Sequence, residues 1–182
     1  MYELGYHGTS TRAIAKAVGI ESSSLYYHYP SKQNVLVDIM TRNMVDLISE
    51  TEAAVAAHRQ STERLRAAIV AHVHFECRER MQSFVSDSEI RALEPGNRPA
   101  IVDLRDQYEA IFQRVLEDGV ASGEFAVRDS RLAVMALMAV GTGVSTWYQP
   151  NGRLRPDDIA ERYADLLLGG ILVRKTTQAG AR

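Results

Sequence analysis

Between Thr9 and Ser24 the chain gathers groups suited to gripping a polyanion and reading hydrogen-bonding edges. Thr9, Thr11 and Arg12 stand at the start of one helical segment. There, hydroxyls, a guanidinium and the free N–H groups of a helix N-terminus can together donate to a phosphate. Ser22, Ser23 and Ser24 open a second segment. Small side chains let a helix N-terminus enter a major groove, and their hydroxyls donate or accept. Tyr26 and Tyr27 follow, placed to press on thymine methyls or to reach phosphates. The chemistry on offer is noncovalent recognition of duplex DNA, and Glu21 opposes it unless its carboxylate accepts from a cytosine amino group.

Those groups act together only if two short helices hold them at a fixed angle. Thr9 and Ser10 can cap the first helix, and Ile14, Ala15 and Val18 give it an apolar face. Gly19 stops it, because glycine takes a left-handed conformation without steric cost. The second helix runs from Ser22 to Tyr29, with Leu25 as the core residue that holds the pair together. Pro30 ends it, and Ser31 can cap a third helix that begins near Lys32. Two helices around a glycine turn are the layout of a helix-turn-helix.

Gly5, Tyr6, Gly8, Thr9, Thr11, Ile14, Ala15, Val18, Gly19, Ser24, Leu25, Tyr26, His28, Pro30, Ser31 and Lys32 follow one another as in the DNA-binding domain of the TetR family of bacterial transcription regulators, which this segment resembles. The resemblance implies that His28 and Lys32 anchor the DNA backbone and that Tyr29 fills an aromatic core position. Many relatives carry a small polar residue, lysine and glycine where this chain has Glu21, Ser22 and Ser23, which bears on the operator sequence rather than the fold. The family pattern also has a helix before its Gly-Tyr pair. Only Met1 to Leu4 precede it here, so that first helix is expected to be largely missing from this chain.

Composition sets the remaining bounds. A chain of 182 residues with 46% apolar content can bury a real core. The net charge of −2 argues against a nonspecific polyanion binder, and Met1–Leu36 holds three basic residues (Arg12, Lys16, Lys32) against two acidic ones (Glu3, Glu21). One cysteine, Cys77, excludes an internal disulfide framework, and no secretory pattern opens the chain, so a cytoplasmic location is expected. Leu132–Gly152 carries no charge, but Thr142, Ser145, Thr146, Gln149 and Asn151 dilute it and Pro150 ends it. A buried helix is expected there, not a membrane span.

Beyond Pro30 the apolar spacing is helical nearly everywhere. Helices are expected over 32–58, from a cap at Ser61 or Thr62, over 81–93, over 98–121 with Gly123 closing, from an Asp129 cap to Tyr148, and from Pro156 to about Val173. The chain therefore reads as all-α. A helix-turn-helix DNA-binding domain over 1–45 precedes a helical ligand-binding and dimerisation domain over 46–175 and a loose tail over 176–182.

Large or flexible side chains in the second region suit an apolar pocket. Phe84, Leu104, Tyr108, Met138, Thr142 and Trp147 are the expected ligand-binding residues. Small residues at Ala136, Ala139, Gly143, Gly169 and Gly170 permit close helix contact, which fits the four-helix dimer interface of the TetR family. The glycine-containing helix, Trp147-Tyr148-Gln149-Pro150 and the following Gly-Arg-Leu resemble the subset of that family that controls lipid or sterol breakdown and responds to acyl-CoA thioesters. A CoA head would need a basic rim, to which Arg105 or Arg153 could contribute.

His72 and His74, two apart, cannot share a helix face, so no metal is expected, and no cofactor either. No nucleophile elbow, phosphate loop or metal-spaced cluster points to an enzyme. The expected function is a homodimeric, ligand-responsive repressor on a near-palindromic operator, leaving it when a small apolar or acyl-CoA effector binds. The rival is a dimeric helical ligand-binding or interaction protein that has lost DNA binding with its first helix.

Overall fold

The computed structural model describes residues 1–172, and among them the chain forms ten α-helices, one 3-10 turn and no strand. Phe125 and Leu172 meet in an isolated antiparallel bridge. The stretch 176–182, expected as a tail, lies outside the described residues. No helix among those described is long and apolar enough to cross a membrane.

An N-terminal head of three short helices comes first. α1 (Gly5–Gly8) is a single turn, followed by α2 (Thr11–Val18) and α3 (Ser22–His28). The Ser10 hydroxyl caps α2 by accepting from the Ala13 N–H at 3.1 Å, and Gly19 closes it at φ 75°. Ala15 and Leu25 bury together against Val35, with Ile14, Tyr29 and Ile39 packed around them. Val18, expected on that apolar face, is instead 62% exposed. It lies in the last turn of α2, where α3 is already turning away.

α4 (Lys32–Ala56) leaves the head, and Ser31 caps it by accepting from the Asn34 N–H at 3.2 Å. With α5 (Ser61–Arg78), α7 (Arg98–Ala121), α8 (Ser130–Thr142) and α10 (Pro156–Ile171) it encloses the main core around Leu65, Phe75, Phe112, Val115 and Leu168. α6 (Arg80–Ser88) and the 3-10 turn Ile90–Ala92 lie between this core and the head. Leu36, Met40, Val85, Leu93 and Ile101 bury with Tyr6 at that junction.

Two expectations are corrected. The helix expected to run to Tyr148 breaks after Thr142, and α9 (Val144–Trp147) follows as a separate turn. Hydroxyls compete with the helical ladder at the break: Thr142 donates to the Met138 carbonyl, Ser145 to Thr142 and Thr146 to Gly143. The cap of α5 also comes from elsewhere. Its N-cap is Gln60, without a side-chain bond, and the Glu124 carboxylate accepts instead from the Ser61 and Thr62 N–H groups at 3.1 and 2.8 Å. These bonds, with those from the Thr62 and Ser122 hydroxyls, hold the Glu124 carboxyl down at about 2.

Candidate nucleic-acid interface and ligand cavity

The head presents one polar, aromatic face. Tyr27 is 85% exposed, its ring edge-on to His28 at 5.1 Å. Ser23, Ser24, His28 and Arg12 are exposed, and Ser22 is half-buried. The N-cap residue of α3, Glu21, makes no side-chain bond to the helix, so the first-turn N–H groups of α3 are not capped by it. Thr11 and Tyr26 share a hydrogen bond of 2.8 Å between hydroxyl and phenol, which ties the start of α2 to the middle of α3. Tyr26 remains half exposed. Tyr29 donates to Asp38 at 2.7 Å and fixes the end of α3 to α4, holding the Asp38 carboxyl below its usual range.

Two residues expected at the DNA are engaged within the protein. Thr9 is buried, and its hydroxyl donates to the Gly5 carbonyl at 2.7 Å. It braces the turn ahead of α2, leaving Thr11 and Arg12 on the outside. Lys32 is half-buried, with its ammonium donating to the Tyr6 and Thr9 carbonyls at 2.7 and 2.9 Å and lying over the Tyr6 ring. Two of its three protons therefore hold α1 to α4. Arg12, Ser23, Ser24, Tyr26, Tyr27 and His28 retain outward-facing positions, with the half-buried Thr11 and Ser22 at their edge.

A cavity of about 240 Å³ lies among five helices. α4 contributes Asn43, Met44 and Leu47, α5 Glu76, α6 Asp87, α7 Arg105, Tyr108 and Glu109, and α8 Met138, Ala139 and Thr142. Of the six residues expected to bind ligand, Tyr108, Met138 and Thr142 line it. The other three do not. Phe84 packs edge-on to Tyr2 at 5.1 Å on the head side of α6. Leu104 fills the junction between the two cores. Trp147 is 45% exposed and tilts toward Tyr163, because the break at Gly143 turns it off the line of α8. Arg105 faces inward rather than forming a rim, and Arg153 sits in the exposed loop after α9.

The cavity is more polar than its apolar spacing suggested. Arg105 donates to the Asp87 carboxylate at 2.7 Å and the Ser86 carbonyl at 3.0 Å. Glu76 is 1% exposed, and burial, reinforced by the nearby Asp87 charge, pushes its carboxyl up to about 8. Burial also raises Asp87, to about 6, against the opposing pull of Arg105. Behind Tyr108, its phenol meets His72 Nδ1 at 2.5 Å, and burial drives that imidazole down to about 4. His72 is therefore neutral at pH 7. Glu76, Asp87 and Asn43 escaped sequence reasoning because they sit on three different helices, and Arg105 was expected only as part of a basic rim. Glu76 did leave a signal: it falls one turn from His72 and Val73, on the buried stripe of α5.

Comparison with known proteins places both regions. Residues 1–39 match the family model "Bacterial regulatory proteins, tetR family", and residues 58–171 match "Tetracyclin repressor-like, C-terminal domain". The chain is 30% identical over 173 residues to the HTH-type transcriptional repressor KstR2 of Rhodococcus jostii, covering 93% of this chain and 84% of that protein. It is 25% identical over 171 residues to the fatty acid metabolism regulator protein of Bacillus subtilis, covering 93% and 88%. The structure of the ketosteroid transcriptional regulator KstR2 of Mycobacterium tuberculosis superposes with a TM-score of 0.87 at 26% identity, covering 95% of this chain and 89% of the other.

Proposed function

The chain belongs to the TetR family of bacterial regulatory proteins, and on that premise we propose that it is a homodimeric transcription repressor that releases a near-palindromic operator when a lipid-derived effector enters the cavity. One observation carries the reading: α4 belongs to both sites. Its first turns pack Val35 against Leu25 of α3, and its middle supplies Asn43, Met44 and Leu47 to the cavity. An effector with unequal affinity for two tilts of α4 shifts the orientation of α3 by that difference in affinity.

The dimer is supported by a bare apolar stripe. Leu132 and Met135 of α8 are 63% and 59% exposed, and Ala136 and Ala139 continue the same helix face. On α10, Leu166 is 69% exposed, with Gly169 and Gly170 beside it. A face of this kind marks an interaction surface. Pairing it with a second copy would present two copies of α3 to successive half-sites. The names of the fatty acid and ketosteroid regulators support a lipid-class effector. An acyl-CoA would place its acyl end in the cavity and leave the CoA head outside, because 240 Å³ is too small for both.

The test uses the full chain. Fragments selected from random DNA are titrated in gel shifts with and without long-chain and polycyclic acyl-CoA thioesters. A shared inverted repeat, bound by dimers and released by at least one thioester but not by free CoA, is the expected result. If no fragment is retained, the repressor reading fails. If DNA is bound but only another class of molecule releases it, the acyl-CoA assignment alone fails.

A further inference from the structure

The floor of the cavity holds hydrogen-bonding capacity that the protein does not use. Glu76 Oε2 is buried and meets no hydrogen-bond partner among the described residues. Ser83 of α6 and Ser145 of α9 stand beside this carboxyl, with Asp87 and Arg105 facing it across the cavity. Arg105 spends its Nη2 on Asp87 and Ser86, while its Nε is buried without a partner among the described residues. Asn43 accepts from Ser83 at 3.4 Å through its carbonyl oxygen, which leaves its amide N–H groups to donate. A buried polar group without a partner is costly, and a ligand that supplies one gains specificity from it.

The charges here are already matched. The Arg105 guanidinium answers the Asp87 carboxylate, so a second anion would sit beside two carboxyl groups with no cation left for it. A ligand ammonium would need Glu76 ionised, against the burial that keeps it protonated at pH 7, and would lie near Arg105. What remains available is a set of donors, the Glu76 carboxylic acid, the Asn43 amide and the Arg105 Nε–H, of which Glu76 and Asn43 flank the apolar wall of Met44 and Leu47. Met44, Leu47 and Met138 wall the rest of the cavity with apolar surface.

We infer that this floor is a subsite for an uncharged oxygen acceptor, a keto or hydroxyl oxygen at the buried end of an apolar effector, received by Glu76 with Asn43 as the second donor. The inference deepens the proposed effector site and rests on that reading. It sorts lipid effectors by their far end. A skeleton carrying a neutral oxygen there binds, and one ending in a carboxylate or an amine is rejected.

Calorimetric titration of the full chain at pH 7 with four probes of one chain length, 2-octanone, 2-octanol, octanoate and octylamine, holds apolar burial nearly constant. The ketone and the alcohol are expected to bind at least tenfold more tightly than the two charged probes. Glu76→Leu should lose about tenfold in ketone affinity, the worth of one buried hydrogen bond, while Glu76→Gln keeps a donor and stays within about threefold. Melting followed by circular dichroism checks that both variants fold, and the four-probe series on the unaltered chain stands independently of them. The subsite is overturned if octanoate or octylamine matches the ketone, if the ketone does not bind, or if folded Glu76→Leu binds it unchanged. Gel shifts on the same preparations separate the two readings. Failure of the probes with DNA binding intact removes the subsite alone, and loss of DNA binding removes the repressor reading while the probe affinities still judge the subsite.

Discussion

Tyr27 is 85% exposed in the last turn of α3, where the proposed operator complex would bring it to a base edge. Tyr27→Ala should cost about 1–3 kcal/mol on the selected operator and much less on random DNA, measured by gel shift. Equal losses on both would assign Tyr27 to the phosphates instead. A second residue-scale expectation concerns Glu76. Its carboxyl stays protonated in the folded chain up to about pH 8, whereas an exposed carboxyl ionises well below neutrality. The folded state therefore binds the extra proton, and stability falls as pH rises toward 8. Asp87 contributes the same sign only below about pH 6, and His72, neutral when folded, contributes the opposite sign below its ordinary range. Between about pH 6.5 and 8 the slope is thus mainly that of Glu76, and Glu76→Gln should flatten the melting temperature across that window. An unchanged slope would mean that the group is not held neutral. Single residues were legible where their role is local, as with the Ser10 cap, Gly19 and Leu25. Thr9 and Lys32 were not, because what a hydroxyl or ammonium meets is decided by carbonyls that the fold brings up from α1 and its exit.

α7 begins and ends where its spacing places it, at Arg98 and Ala121. A long amphipathic helix with a proline in its first turn and a glycine past its end carries its bounds in the sequence. α8 did not. Its unbroken apolar run looks like one helix as far as Tyr148, and only the local hydroxyl bonds around Thr142 divide it. The packing of α8 on α5 was equally hidden, because it depends on a glycine that no periodicity singles out. Gly141 is buried against His72, and a Cβ added there would overlap the imidazole ring. Alanine is favoured over glycine inside a helix by about 1 kcal/mol, while overpacking a close contact costs about 1–3 kcal/mol. The overlap is deep and meets a buried ring rather than a flexible tip, so the steric cost wins. Gly141→Ala should lower unfolding stability in urea, and a variant as stable as the unaltered chain would show that α8 yields readily.

At the scale of the whole molecule, α4 joins the helix-turn-helix to the cavity, and an apolar face on α8 and α10 is left bare. Leu166→Arg changes a side chain that is 69% exposed in the single chain, so its folding stability should move by less than about 0.5 kcal/mol. In the proposed dimer the same position would be buried, and an unpaired arginine there should leave a folded monomer in sedimentation, with operator affinity lost along with the second reading head. Sedimentation as a dimer would place the interface elsewhere. The Glu124 cap also acts at this scale, since it closes a span of more than sixty residues onto the first turn of α5. Amides in the first turn of a helix ordinarily exchange with solvent freely, having no partner within the helix. Those of Ser61 and Thr62 should exchange only when the turn after α7 lets go of them, which makes two protons near the middle of the chain into clocks for an opening event that begins at its other side.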